Sequence, residues 1–303
     1  MSKPLVGVIG GSGLYKLGLN VIKEINIAKE VADWPFGPTS SPVTIAQLAT
    51  GQTIAFIARH GPGHQLLPTE VPCKANIAAL KYLGVEAVVA FSAVGSLRED
   101  IKPRDVVIPS QIIDRTKGQR PATYFGDGIV AHAMFGDPFD NQLNAIIGPM
   151  VKDVAQKNNL AVGVHTNKTV VCMEGPAFST RAESKINKQL GGDIINMSVL
   201  PEAKLAREAE LSYVLICTAT DYDAWRESEE SVTVAEVIKV LHDNAAASDL
   251  IAQQVLGDIS DMVASGKQLT QAKGAMQYGI VTKKEVWPEA KKKELSFILP
   301  YFS

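Results

Sequence analysis

Hydrophobic positions along the chain gather into short continuous runs separated by amphipathic stretches. Leu5–Ile9, Thr53–Ala58, Ala87–Phe91, Val106–Ile108, Thr169–Met173, Ile194–Met197 and Tyr213–Thr218 are dense in Val and Ile and stop at turn residues. Runs that are apolar on both faces predict strands buried in a mixed or parallel sheet. Between them, Val71–Leu83 has helical spacing and stops at Gly84, a C-terminal cap signal. Arg181–Leu190 stops at Gly191-Gly192, and Leu200–Glu210 is a third predicted helix. Val232–Ala264 is the longest, ending near Gly266, with a possible break at Gly257. Strands alternating with helices predict an α/β fold.

Two stretches lack a clear period. Asp114–Asp140 is rich in Gly, Pro and aromatics and reads as a long loop, either a surface excursion or a lid or interface arm. Gln268–Ala290 is weakly periodic, after which the tail Leu295–Pro300 turns apolar again. An apolar tail requires cover, from its own core or from a neighbouring copy.

Composition narrows the class. The 303 residues are 46% hydrophobic and 20% charged, an ordinary globular balance, and the formal net charge of −2 gives no electrostatic case for nucleic acid or anionic membrane. An anionic ligand therefore needs a local site. Cys73, Cys172 and Cys217 are widely spaced and odd in number, which fits reduced apolar residues better than a disulfide framework or a zinc site. No signal peptide or membrane span is predicted. The expected location is the cytoplasm, with a nuclear pool left open.

Candidate chemistry sits at the ends of the predicted strands. Gly10-Gly11-Ser12-Gly13 is either a tight turn or a cradle of backbone N–H groups for an anion, with Ser12 adding a hydroxyl. It lacks the Lys-Ser/Thr of a Walker loop and the third glycine of a dinucleotide fingerprint. Arg59-His60 directly follows a strand and offers a planar guanidinium and an imidazole, either solvated or turned to a phosphate. Ser92-Ala93-Val94-Gly95-Ser96 and Asn196-Met197-Ser198 end two further runs with small or polar residues. In Glu174–Glu183, Phe178 either stacks on a flat base or belongs to the core, and Ser179 or Thr180 could cap the next helix. Asp221 and Asp223, two residues apart after an apolar strand, are turn aspartates or a buried pair in which one carboxyl stays protonated. Together these loops predict a pocket for a phosphate and a neutral aromatic ligand.

The ordered motifs Gly-Gly-Ser-Gly-Leu, Ala-Arg-His-Gly, Ser-Ala-Val-Gly-Ser-Leu-Arg-Glu-Asp-Ile, Asp-Arg-Thr, Glu-Gly-Pro-Ala-Phe-Ser-Thr-Arg-Ala-Glu-Ser, Asn-Met-Ser and Ala-Thr-Asp-Tyr-Asp resemble those of the methylthioadenosine phosphorylases, in the trimeric branch of purine nucleoside phosphorylases. The likeness spans Val6 to about Ala264, with a weaker echo at Phe297–Pro300. It implies a single domain over residues 1–303 built on a central mixed β-sheet flanked by helices, with a core at about 5–264. The segment 265–303 would pack on that domain or on a neighbour. It also implies a homotrimer, no metal, and no cofactor beyond substrate phosphate.

By the same resemblance, Ser12, Arg59, His60, Ser92, Ala93 and Ser198 are phosphate ligands. Met197 lies under the ribose and Phe178 packs near sugar and base. Asp221 faces purine N7, and Asp223 accepts from a 6-amino group. Ser179 and Val234 stand where substrates are separated, and Val237 lines the methylthio end. His132 and Ile298 are lent to a neighbour's pocket. Ser12 and Ser198 replace threonines of the animal enzymes, Ile298 replaces a leucine, and Ala177 stands where arginine is often found.

The implied reaction is phosphorolysis of 5′-methylthioadenosine to adenine and 5-methylthioribose 1-phosphate, with Asp221 as general acid. One alternative is an oxopurine nucleoside phosphorylase acting on inosine, guanosine or methylthioinosine. Another, of a different class, is a non-catalytic nucleoside sensor.

Overall fold

The N-terminal apolar run forms β1 (Val6–Gly10), in which every residue is buried. The computed structural model describes residues 3–11, 18–226, 233–266 and 271–303. After β1 come β2 (Asn20–Ile25), a single helical turn α1 (Ile27–Glu30), β3 (Val43–Gln47), β4 (Thr53–Ala58), α2 (Cys73–Tyr82), β5 (Ala87–Ser96) and β6 (Val106–Arg115). The remaining elements are α3 (Asn141–Lys157), β7 (Val164–Met173), α4 (Arg181–Gln189), β8 (Ile194–Asn196), α5 (Val199–Glu208), β9 (Ser212–Asp221), α6 (Val234–Asp243), α7 (Ala245–Ala264) and α8 (Glu289–Ser296).

The strands make one nine-stranded mixed sheet in the order β2-β3-β4-β1-β5-β8-β7-β6-β9. A further parallel pairing joins β5 to β9, so β5, β8, β7, β6 and β9 close into a ring. Side chains alternate across the pleat. Ile9, Ile57, Val88 and Leu215 join a core covered by α2, α5 and the C-terminal tail. Their neighbours Val8, Phe56, Val89 and Val214 face the other side, packed with residues of α3 and α7.

All seven expected strands form, several of them longer than their apolar runs. β5 continues to Ser96 because Ala93, Val94 and Gly95 pair with the end of β9. β6 continues to Arg115 against β7, so Asp114 and Arg115 belong to a strand and not to the loop. The long helical pattern breaks at Asn244, which ends α6 and starts α7. Gly257 lies inside α7, where a Cβ would meet Thr50 Oγ1 at 2.7 Å, so this glycine serves close packing. Val232 lies outside the described residues. The tail packs on its own chain, through Leu295, Leu299 and Phe302.

Candidate active site

A cavity of about 800 Å³ opens at the carboxyl ends of β4, β5, β8 and β9. Open α/β sheets bind ligands at such ends because the loops there are set free by the strands that carry them. The volume suits a nucleoside with an anion.

At one end lie Arg59, His60, Ser92, Ala93 and Ser198. Arg59 is only 1% exposed. Its Nε and Nη2 donate to the two oxygens of Glu202 at 2.9 and 3.0 Å, and Nη1 donates to the carbonyl of Phe91 at 2.8 Å. The carboxylate of Glu202 also accepts from Tyr213 Oη at 2.7 Å. Burial works against the Arg59 charge, but Glu202 outweighs it and holds the guanidinium firmly protonated. Most of the fork is thus committed, leaving one N–H on each Nη for a ligand. Gly11 makes this packing possible, since a Cβ there would lie 2.5 Å from both Arg59 Nη1 and the Phe91 carbonyl. Ser12 lies outside the described residues.

The hydroxyls are pre-positioned by one amide. Asn196 Nδ2 donates to Ser92 Oγ at 3.2 Å and to Ser198 Oγ at 3.4 Å, and the two oxygens lie 3.2 Å apart. His60 Nδ1 lies 2.9 Å from the Leu66 carbonyl, and its ring stacks on His64 with centroids 4.6 Å apart. Burial, then the Arg59 charge, pushes the His60 pKa down to about 4.

At the other end, Asp221 closes β9 and Asp223 follows in the left-handed backbone region at φ 49°. Asp221 Oδ1 accepts from the Asp223 N–H at 2.7 Å, and Oδ2 lies 2.7 Å from Thr220 Oγ1. Burial raises the Asp221 pKa, and the Asp223 charge adds to the rise against the two hydrogen bonds. Burial likewise raises Asp223, against nearby hydroxyls of Ser184 and Ser179. Asp223 Oδ2 is buried without a well-aligned hydrogen bond. A buried acceptor left in this state carries a desolvation cost of about 1–3 kcal/mol, which a donor on a ligand would relieve. Gly95 lets the pair approach β5, since a Cβ there would stand 3.1 Å from Asp221 Oδ1.

Between the two ends, Met197 and Phe178 line the cavity, Phe178 44% exposed on its rim and not in the core. Val234 and Val237 reach it from α6, a helix with no buried residues. Ser179 is buried beside the cavity, its Oγ 3.6 Å from Met173 Sδ.

Residues 5–257 match the model of the phosphorylase superfamily. The chain belongs to this superfamily. The phosphorylase is 58% identical to S-methyl-5′-thioadenosine phosphorylase 1 of Puccinia graminis f. sp. tritici over 304 residues, covering 99% of this chain and 98% of that one. It is 54% identical to the S-methyl-5′-thioadenosine phosphorylase of Mycosarcoma maydis, covering 99% and 95%. Among solved structures, it resembles a methylthioadenosine phosphorylase from an antarctic soil metagenomic library, with TM-score 0.87, 40% identity, and 99% and 100% of the chains covered. It also resembles the Schistosoma mansoni methylthioadenosine phosphorylase in complex with adenine, with TM-score 0.77, 31% identity, and 91% and 99% covered.

Two of the expected site residues of the phosphorylase stand apart from the cavity. His132 is exposed on the long loop, where its backbone N–H donates to the Gly279 carbonyl at 2.9 Å. Ile298 is 1% exposed within its own chain's core. The tail residue is consumed by its own apolar cluster. Residues that the motifs did not single out shape the site instead. Arg120, on the same long loop, donates to Glu174 Oε1 at 2.7 Å and to the carbonyls of Met197 and Leu200 at 2.6 and 2.7 Å. It further donates to the carbonyls of Met173 and Glu174 at 3.3 and 2.5 Å. This single guanidinium fixes the backbone beneath Met197 and the turn leading to Phe178. Glu202 plays the same supporting part for Arg59, and Asn196, the first residue of the Asn-Met-Ser motif, does so for the two serines.

Among the described residues, no group of three or more His, Cys, Asp or Glu side chains is arranged to hold a metal ion. No helix there is long and apolar enough to cross a membrane.

Proposed function

We propose that this phosphorylase cleaves S-methyl-5′-thioadenosine with inorganic phosphate, giving adenine and 5-methylthioribose 1-phosphate, a salvage reaction for purine and methionine. The observation that carries this reading is the buried acid pair, with Asp223 Oδ2 lacking a well-aligned hydrogen bond. Adenine offers a 6-amino donor to it, whereas a 6-oxopurine would set an acceptor against an acceptor. The names of relatives covered nearly end to end support the same reaction.

In this mechanism the glycosidic bond breaks toward an oxocarbenium-like sugar and negative charge builds on the purine. Asp221, its carboxyl shifted toward the protonated form by burial, donates to N7. General acid help of this kind is worth roughly 10²–10⁴-fold. Phosphate waits across the sugar, held by the remaining N–H groups of Arg59, by His60 and by Ser92, Ala93 and Ser198, with Ser12 as a further ligand. It serves as nucleophile and as counter-charge to the cationic sugar. Met197 and Phe178 bracket the ribose and base, Ser179 and Val234 bear on substrate choice, and Val237 faces the apolar 5′-substituent. No cofactor beyond phosphate takes part, and the enzyme works in the cytoplasm.

The chain works as a homotrimer in which His132 reaches a neighbour's cavity. Support comes from the exposed apolar side chains Val130, Met134, Tyr278, Val281 and Val286 on the paired segments that carry and flank His132.

The test is a phosphate-dependent assay of adenine release. Methylthioadenosine is expected to be the better substrate by at least about tenfold over inosine. Asp221→Asn is expected to lower kcat by about 10²-fold or more with phosphate affinity kept, because an amide can donate a hydrogen bond to N7 but cannot transfer a proton. Near-normal turnover in that variant removes Asp221 from the acid role, and preferred turnover of inosine selects the oxopurine reading.

A further inference from the structure

The turn after β4 fixes which nitrogen of His60 carries its proton. The Leu66 N–H donates to the His60 carbonyl at 3.1 Å, and the Gln65 N–H donates to the same oxygen at 2.8 Å. In return His60 Nδ1 lies 2.9 Å from the Leu66 carbonyl. A carbonyl oxygen only accepts, so Nδ1 holds the proton. The turn is set by its backbone, with Gly61 at φ 79° and His64 at φ 54°, and the ring is clamped on its other side by the stacked His64. The imidazole can neither flip nor exchange tautomers without opening this bridge. His60 lines the cavity, and with Nδ1 spent on the turn the nitrogen left for a ligand is Nε2, which carries a lone pair.

A bare lone pair repels the oxygens of an anion that carries no proton. It accepts from a P–OH. We propose that the cavity takes inorganic phosphate together with one proton, as the monoanion whose P–OH donates to His60 Nε2. The inference rests on the phosphate reading of this end of the cavity, and it makes His60 an acceptor there. Arg59 and the serine hydroxyls of Ser92 and Ser198 serve the unprotonated oxygens, so the site sorts oxygens by protonation. A tetrahedral dianion with no O–H, such as sulfate, lacks the proton that Nε2 needs.

The surroundings hold the ring neutral across the working pH range. Arg59 and Arg120 repel a charge on it, and His64 stacks on it, while Glu202 is spent on Arg59. Asp221, Asp223 and His242 line more distant parts of the same cavity. Only near pH 4 does the ring of the empty site charge.

Proton linkage gives the test its sign. Where free phosphate is mostly dianion, binding must draw one proton from solution, and affinity for total phosphate must weaken about tenfold per pH unit. Where free phosphate is already monoanion, neither effect appears. The experiment is calorimetric titration of the full chain with inorganic phosphate at about pH 8.5, in two buffers of different ionisation enthalpy. The expected result is uptake of about one proton per phosphate bound. In His60→Gln, whose amide can donate to a dianion, uptake is expected to fall near zero. Binding without proton uptake in the wild-type chain overturns the proposal and leaves the phosphate site standing. So does uptake that persists unchanged in a folded His60→Gln that still binds. A wild-type titration without uptake overturns the proposal without any variant. Absence of both phosphate binding and phosphate-dependent adenine release removes the underlying reading as well.

Discussion

Arg59 and Glu202 are both almost fully buried, and each is the other's only opposite charge in direct contact among the described residues. Removing one partner strands the other in a low-dielectric core. Glu202→Ala is therefore expected to cost about 3–5 kcal/mol of stability, measured by denaturant unfolding, and to weaken phosphate binding by freeing the guanidinium to tilt. Asp223→Asn should act the opposite way. Its carboxyl pKa is raised by burial, so the contribution of that proton to stability is full below the ordinary carboxylate pKa and is lost as pH rises through the raised one. The amide variant is expected to melt higher near neutral pH, with the gain vanishing in acid. It should also lose preference for the 6-amino base over the 6-oxo base in the release assay. The sequence made Arg59, His60, Asp221 and Asp223 legible because each follows a strand directly. It hid Glu202 and Arg120, since their partners lie far away along the chain and neither carries a local motif. It also hid the His60 tautomer, which depends on a carbonyl that every residue possesses.

At the level of elements, α6 is the weakest wall of the cavity. It has no buried residues and leaves Val234 61% exposed, so its position relies on its ends. Thr233 and Glu236 form a reciprocal capping box at its start. Thr233→Ala is expected to cost roughly 0.5–2 kcal/mol locally and to raise KM for methylthioadenosine several-fold while leaving KM for phosphate unchanged. The matching change at α4, Thr180→Ala, removes an equivalent box from a helix that does not form this wall and should cost stability without that KM split. Buried strands and capped helices were readable because their apolar runs and stop signals are local. β2 and β3 were not, because β2 is exposed along nearly its whole length and shows no apolar face. α3 escaped notice because Pro149 interrupts its pattern, although Asp140 caps it with bonds to two backbone N–H groups.

For the whole molecule, the apolar residues displayed on segments 130–134 and 278–286 predict self-association. Light scattering is expected to give a mass of three 32.5 kDa chains. Charge placed by Tyr278→Glu should lower that mass and the activity together. Which apolar segments find cover within the chain was not legible in the sequence: the tail could pack on its own core or on a neighbour, and Ile298 lies in the chain's own apolar cluster. The joining of β5 to β9 was invisible too, because strand order depends on contacts between distant segments.

That closure governs where the molecule can stick to others of its kind. A sheet bent back on itself offers no ladder for a stranger to extend, so among the described strands only β2 has an open flank. There, Lys23 and Glu24 directly follow the exposed Val21-Ile22 pair. Charges at such a border act as gatekeepers against fibre growth, and replacing both with valine should increase aggregation.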